Sequence, residues 1–140
     1  MQTIIGKEFP KKVIPLIDEA KRNIDIIVFD WRWYPDDPGN PVQLFNQAIV
    51  RAVRRGVQVR AIIDNDQIIG TLRSVGVNAK KFISQKLVHG KTMIIDGEIA
   101  IVGSHNYTQY AFTMNYEVSV LVDNREEIAK LTEFFNNLYS

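Results

Sequence analysis

A histidine and a lysine separated by one residue, His89 and Lys91, are the side chains best suited to chemistry in this sequence. Alternate residues of an extended segment point to the same side, so the imidazole and the ammonium group are expected to face the same space. A neutral imidazole nitrogen can attack phosphorus while a lysine neutralises the non-bridging oxygens. The same spacing recurs at Ser104 and Asn106, whose side chains can donate to those oxygens. Together these residues predict a phosphate-binding, phosphodiester-cleaving site.

A metal centre is a weaker interpretation of the same region. It would draw on His89, His105 and Asp96, but the chain has only two histidines and no cysteine, and Lys91 would repel a cation. His105 lies between two donor residues, so we expect it to point to the opposite side and to be structural. We therefore predict neither a metal nor a cofactor.

Composition narrows the class of protein without naming a partner. The 140 residues are 46% hydrophobic and 24% charged, which is typical of one soluble globular domain and not of disorder. The net charge of +1 does not by itself indicate a binder of nucleic acid or membranes. No apolar run is long enough to span a bilayer. The opening residues lack the pattern of an export signal, so we expect a cytoplasmic protein or an exported one already trimmed.

Hydrophobic periodicity predicts alternating helices and strands. The predicted helices run from Pro10 to about Asn23, from Pro41 with Asn40 as its cap to Gly56, from Ile68 to Val75 and from Arg125 to Leu138. The predicted strands are Ile24–Phe29, Val57–Ile63, Ala79–Ile83, the hairpin of Lys91–Ile95 and Ile99–Val102, and Glu117–Val122. This order predicts a single α/β domain over residues 1–140, an α/β/α layered domain with a mixed, mostly parallel central sheet.

The residues from His89 to Asn106 closely resemble the shared motif of the phospholipase D superfamily, H-x-K-x4-D followed by G-S-x-N. Five residue types at fixed offsets make the match specific. The resemblance extends over about Pro10 to Ser140 and implies a phospholipase D-like fold. The loop from Trp31 to Pro41 departs from it, since this loop is longer than in the smallest members.

Members of the superfamily usually carry the motif twice, whereas this chain carries it once. It therefore resembles the small bacterial endonucleases of the superfamily, which restore the missing half by homodimerising. An isologous interface brings the same patch of both subunits to one axis. The resemblance implies a homodimer with its active site at the twofold axis, where one His89 forms a phosphohistidine and the other protonates the leaving oxygen.

The resemblance also adds Asp96 and Glu117 to the predicted catalytic group. The motif aspartate has a supporting role in the family, and Asp96 before Gly97 can also set the hairpin turn. Glu117 matches the acidic residue that hydrogen-bonds the catalytic histidine and fixes its tautomer.

Further residues are possible nucleic-acid contacts. Trp31 and Trp33 can stack on unpaired bases or equally cover the core. The lysines that precede the motif can follow a phosphate backbone; they are Lys80, Lys81 and Lys86. Arginines on the second helix are better explained as a solvated face.

Three functions are compatible with these residues. The favoured hypothesis is a metal-independent nuclease that cleaves DNA or RNA. The second is a phospholipid hydrolase or phosphatidyl transferase, which would need an apolar surface that the Trp31 loop alone could supply. The third is a non-catalytic nucleic-acid-binding module, because a fold and a motif do not guarantee turnover.

Overall fold

The computed structural model describes all residues from Met1 to Ser140 and has a seven-stranded sheet at its centre. In chain order the strands are β1 (Gln2–Ile5), β2 (Asn23–Val28), β3 (Gln58–Ile63), β4 (Asn78–Lys81), β5 (Thr92–Ile95), β6 (Ile99–Gly103) and β7 (Val118–Val122). The helices are α1 (Glu8–Asp18), α2 (Pro41–Arg54), α3 (Ile69–Ser74), α4 (Gln109–Thr113) and α5 (Arg125–Tyr139). None of these helices combines the length and hydropathy needed to cross a membrane.

The sheet is mixed, as predicted, but it is not mostly parallel in its pairings. Its strand order is β1-β7-β6-β5-β2-β3-β4, and only the β2–β3 and β3–β4 pairs are parallel. The other four pairs are antiparallel. Parallel neighbours need a long crossover connection. In this chain helices connect β2 to β3 and β3 to β4, whereas β5 and β6 form a hairpin. The first strand, β1, was not predicted and pairs with β7.

The predicted α/β/α layering is confirmed by the two apolar clusters on either face of the sheet. On one face α1, α2, α3 and α4 cover the larger cluster, in which Phe9, Phe45 and Phe112 are buried. On the other face α5 packs Ile128 and Phe135 against strand residues. The short helix α4 was also missed by the sequence prediction, since a five-residue segment carries too little periodicity to be detected.

Helix boundaries follow the capping residues. The Asn40 side chain accepts a hydrogen bond from the backbone of Val42 at 2.9 Å, and α2 begins at Pro41, as predicted. The first helix starts earlier than predicted, at Glu8, because Pro10 is tolerated in the first turn of a helix. Leu44 in the first turn of α2 is 49% exposed.

The β5–β6 hairpin turns at Asp96 and Gly97, which both have positive φ angles, 55° and 63°. Positive φ at both central residues of a β-turn is the geometry that favours an Asp-Gly sequence. The register pairs Ile27 of β2 with Thr92 of β5. Consequently β5 and β7 begin at the edge of the sheet where β2, β3 and β6 end, and we call this edge the motif edge.

Candidate active site

His89 and Lys91 lie together at the motif edge, in the extended segment just before β5. The Lys91 Nζ is 3.2 Å from His89 Nδ1 and 3.4 Å from Nε2, and it also donates to the His89 carbonyl oxygen at 2.8 Å. The imidazole is exposed and contacts the Phe29 ring at a centroid distance of 5.0 Å. The lysine is therefore positioned to act on the same bound group as the histidine.

The ammonium group of Lys91 is only partly hydrated. Burial lowers the pKa of Lys91, and the negative charge of Glu117 opposes this change. A partly desolvated cation interacts more strongly with an anion that approaches it than a fully hydrated one does. This environment suits a lysine that binds a phosphate.

Ser104 follows the end of β6, where the chain runs unusually close to β7. A Cβ at Gly103 would overlap Ser119 and the Val118 carbonyl, so only glycine fits before Ser104. The Ser104 hydroxyl accepts from the Val118 N–H at 3.0 Å and donates to Glu117 Oε1 at 2.5 Å. The predicted donor is thus engaged within the chain, and it would have to leave Glu117 to bind a phosphate.

Glu117 does not hydrogen-bond the histidine, contrary to the role inferred for it. Its carboxylate accepts from Ser104 and from Asn115 Nδ2, the latter at 3.0 Å. Glu117 immediately precedes β7, which β6 separates from β5, so its donors come from the end of β6 and from its own turn. In this structure Glu117 positions Ser104 rather than the imidazole of His89.

Asn106 is held by the loop that follows β2. Its Oδ1 accepts from the backbone N–H of Asp30 at 3.1 Å. This bond orients the amide and leaves its Nδ2 hydrogens to donate elsewhere. Asn106 is accordingly the neutral donor of the predicted pair that remains available to a ligand.

His105 is a structural residue, as the alternation predicted. It is 1% exposed and stacks on Phe9 at a centroid distance of 4.5 Å. Its Nε2 is 2.9 Å from the Gly6 carbonyl oxygen and its Nδ1 is 2.7 Å from Ser119 Oγ. A carbonyl only accepts, so Nε2 carries the proton and Nδ1 accepts from the hydroxyl. Burial lowers the pKa of His105, against opposing effects of Gly6 and Glu117.

Asp96 was grouped with the catalytic residues, and the structure places it at the far end of β5 from His89. Seven residues of extended chain span on the order of 20 Å. Its carboxylate instead accepts from the backbone N–H groups of Lys21, Arg22 and Asn23 at 2.9, 2.7 and 3.0 Å. Asp96 thus ties the start of β2 to the hairpin. Because it lies far from His89, the residues considered as metal ligands, His89, His105 and Asp96, do not come together at one point.

Replacement of Asp96 by alanine is expected to lower the free energy of unfolding by about 2–4 kcal/mol, because three backbone donors lose a charged acceptor. Asp96→Asn is the matched control, since it keeps one acceptor oxygen and tolerates positive φ. Urea denaturation measures both variants. The kcat of folded Asp96→Ala should stay close to the wild-type value, and a loss as large as that of a nucleophile variant would contradict a structural role.

The same carboxylate predicts a dependence of stability on pH. Burial alone would raise the pKa of Asp96, but the three backbone donors and the Arg22 charge hold it below its ordinary value. A group whose pKa is lowered on folding stabilises above its unfolded pKa, here about 3.9, and this contribution is lost as pH falls through the folded value. Below about pH 4, the free energy of unfolding should therefore fall less steeply with decreasing pH in Asp96→Ala than in the wild type. Denaturation curves recorded at several pH values measure this dependence.

Trp31 is not a nucleic-acid contact, because it is fully buried. Its indole Nε1 donates to Asn46 Oδ1 at 2.7 Å, and its ring packs edge-on against Tyr107 at 5.1 Å. Trp33, the other tryptophan of the prediction, is half-buried and lines a surface cavity. The alternative that these rings cover the core holds fully for Trp31 and in part for Trp33, which packs against the larger apolar cluster while lining the cavity.

The predicted basic contacts are mostly engaged within the chain. Lys80 Nζ donates to the Tyr139 carbonyl at 2.9 Å, and Lys81 pairs with Asp66 at 3.4 Å. Lys86 is exposed and has no ion pair. Two arginines on or just after α2 are also occupied: Arg51 pairs with Asp18, and Arg55 donates to the Ile17 and Ala20 carbonyls. Of the three lysines, Lys86 is the one left free to meet a ligand.

Sequence reasoning missed the residues that surround the motif from other elements. Phe29 and Asp30 follow the buried strand β2 directly, a position where side chains of a sheet edge often carry function. An apolar patch also lies beside Glu117. It consists of the exposed side chains Tyr110, Met114, Tyr116 and Val118. Its members are spread over α4, the following turn and the start of β7, so no single periodicity reveals them.

An exposed histidine beside a partly desolvated lysine, at the edge of a seven-stranded sheet between helices, is an arrangement suited to binding and attacking phosphate groups. The chain belongs to the phospholipase D superfamily: the family described as "Cardiolipin synthase, PLD-like domain" matches residues 13–139. This range contains the whole segment from His89 to Asn106.

Similar proteins include relatives whose names refer to cardiolipin and solved structures whose names do not. The chain is 28% identical over 134 residues to the mitochondrial cardiolipin hydrolase of Xenopus tropicalis. This alignment covers 91% of this chain and 60% of the hydrolase. The chain spans about three fifths of the length of such curated relatives. Among solved structures, Nuc, a phospholipase D family member from Salmonella typhimurium, has a TM-score of 0.81 at 22% identity and covers 98% of this chain and 93% of that one.

NucT from Helicobacter pylori has a TM-score of 0.77 at 22% identity, with the same coverage of 98% and 93%. At this level of identity the two solved structures establish the fold alone. They confirm the predicted α/β class and the phospholipase D-like architecture of the whole chain.

Proposed function

We propose that the protein is a metal-independent phosphodiesterase, a nuclease that cleaves DNA or RNA through a phosphohistidine at a site shared by two copies of the chain. The observation that carries this proposal is the contact between Lys91 Nζ and the ring of the exposed His89, 3.2 Å from Nδ1. Lys91 and the free amide of Asn106 bind the non-bridging oxygens. The imidazole then lies beside the phosphorus that it attacks.

Two histidines are needed to balance the reaction. A nitrogen of one neutral His89 forms a bond to phosphorus as the bond to the leaving oxygen breaks, and a protonated second histidine gives its proton to that oxygen. The same second histidine then takes a proton from water, which attacks phosphorus and releases the first imidazole. His105 is buried against Phe9 and cannot serve as the second group. The second histidine is therefore His89 of another copy.

The apolar patch beside Glu117 supports association of two copies. Tyr110, Met114, Tyr116 and Val118 are exposed large hydrophobic residues next to the motif edge. Clusters of exposed large apolar side chains typically mark interaction sites. A twofold interface centred on this patch would bring both copies of His89 toward one axis.

A phospholipid substrate is the second candidate function. An apolar groove of about 470 Å³ lies between α1, α2 and α4, and Lys7 and Lys11 stand at its rim. Such a groove suits an acyl chain with an anionic headgroup, and a relative of this chain is named a cardiolipin hydrolase. The groove also supplies the apolar surface that was expected only from the Trp31 loop.

Cleavage in excess EDTA tests the chemistry and the substrate together. Wild-type protein and His89→Ala should be incubated with labelled single-stranded DNA, single-stranded RNA, duplex DNA and cardiolipin vesicles. We expect the wild type alone to cleave a nucleic acid at an undiminished rate, because no step needs a Lewis acid. Activity lost in EDTA and restored by a divalent ion would contradict the mechanism, and cleavage of cardiolipin alone would favour the lipid enzyme.

A mixing experiment tests the shared site. Wild-type and His89→Ala chains should be unfolded together in equal amounts and refolded, so that they assort at random. One quarter of the dimers are then fully wild type, and total activity should fall to about one quarter of that of the wild type alone. If each chain carried a complete active site, the mixture would retain about half of the wild-type activity.

A further inference from the structure

A second cavity, of about 450 Å³, opens beside the motif edge between the loop after β2 and the segment after β3. This volume is within the range of small-ligand sites. Its lining combines aromatic and polar side chains, among them Trp33, Arg32, Asn65, Gln67 and Thr71. None of these residues takes part in the proposed phosphate chemistry.

One residue connects this cavity to the phosphate-binding group. The backbone N–H of Asp30 donates to Asn106 Oδ1 at 3.1 Å. The Asp30 carboxylate accepts from Arg32 Nε at 2.9 Å and from Asn65 Nδ2 at 3.0 Å, and both donors line the cavity. Asp30 thus places Asn106 one residue away from two side chains that line the cavity.

The free groups in the cavity suit a flat heterocycle. Gln67 and Thr71 form no side-chain hydrogen bonds in the structure, and the half-buried Trp33 lines the cavity while packing against the core. A glutamine amide offers a donor and an acceptor on one plane, which match the mixed edge of a nucleobase. An indole face supplies stacking that does not depend on which base is bound.

We propose that this cavity is a subsite for one unpaired nucleobase of the strand whose phosphodiester is bound at His89, with Trp33 stacking on the base and Gln67 and Thr71 bonding to its edge. The proposal rests on the proposed nuclease function and specifies a single-stranded substrate, since a paired base cannot enter. An acyl chain is a poor occupant, because it would desolvate Arg32 and Asn65 without replacing their water contacts.

Dinucleoside monophosphates provide the test, because a single phosphodiester fixes the position of both bases. The kcat/KM of the wild type should be measured for the intact compound and for two analogues, each lacking one base. We expect removal of one particular base to lower kcat/KM by about tenfold. In Trp33→Ala, the ratio of kcat/KM for the intact compound to kcat/KM for that analogue should fall to about one. Phe134 is an exposed aromatic residue on α5, and Phe134→Ala should keep the wild-type ratio.

A binding measurement separates this proposal from the nuclease function. Fluorescence anisotropy of a labelled short single strand, with or without an abasic position, should be recorded in the His89→Ala background with and without Trp33→Ala. Cleavage by the wild type without any Trp33-dependent base effect would overturn the subsite and leave the nuclease intact. A Trp33-dependent base effect on binding, with no cleavage by the wild type, would support the subsite and overturn the nuclease. If the wild type does not cleave and binding shows no Trp33-dependent base effect, the nuclease and the subsite are both overturned.

Discussion

Replacement of His89 by alanine is expected to lower kcat for phosphodiester cleavage by at least about 10⁴-fold, because removal of a covalent nucleophile costs an enzyme most of its rate. The effect should exceed that of any other single substitution, since in a shared site one mutation removes both the nucleophile and the general acid. The side chain is exposed, so the free energy of unfolding should change by less than about 0.5 kcal/mol. Steady-state kinetics and urea denaturation measure the two quantities.

The other histidine provides the matched comparison. His105→Ala removes a buried ring and its bonds to Ser119 and Gly6, so we expect a loss of about 2–4 kcal/mol in unfolding free energy. Under conditions where this variant is folded, its kcat should remain near that of the wild type. Gln85→Ala controls for changes in the exposed segment before the motif. Equal losses of kcat in the two histidine variants would show that their roles are misassigned.

Replacement of Trp31 by alanine is expected to lower the free energy of unfolding by about 3–5 kcal/mol, the largest stability effect we predict. The change empties a fully buried site, removes the ring contacts with Phe45 and Tyr107, and leaves Asn46 Oδ1 without its indole donor. Marginal stability makes partial unfolding at 37 °C an expected consequence. Chemical denaturation at 25 °C gives the value directly.

Trp31→Phe separates packing from the hydrogen bond. It retains most of the buried ring and should lose less stability than the alanine variant. If Trp31 were instead a stacking platform for bases, its alanine variant would raise KM for nucleic acid and leave the denaturation midpoint unchanged. That result would contradict the burial seen here.

The proximity of His89 and Lys91 was predictable from sequence because it depends on local geometry. His89 and Lys91 are two residues apart on an extended segment, so their common direction follows from backbone alternation alone. The opposite direction of His105 followed from the same rule. The capping of α2 by Asn40 and the Asp96-Gly97 turn were likewise encoded in a few adjacent residues.

The relations that sequence reasoning missed all connect distant parts of the chain. Nothing local indicates that Glu117 binds Ser104 rather than His89, or that Trp31 meets Asn46 in the core. The sheet was expected to be mostly parallel because β2, β3 and β4 alternate with helices, and the short β1 gave no periodic signal. Pairing of β1 with β7, across more than 100 residues, is decided by tertiary contacts rather than by local preference.

The bonds of Asp96 bear on the order in which the protein folds. They join residues 73 to 75 positions apart, and the β2–β5 pairing that they accompany has similar separation. Contacts of this kind form only after a long loop has closed, which slows folding and delays them relative to local helices and hairpins. A nascent chain can therefore contain the complete β5–β6 hairpin, with His89 and Lys91 at its entrance, before β2 has brought Phe29 beneath the imidazole. We expect phosphate binding to appear late in refolding, together with the docking of the first strands rather than with formation of the hairpin.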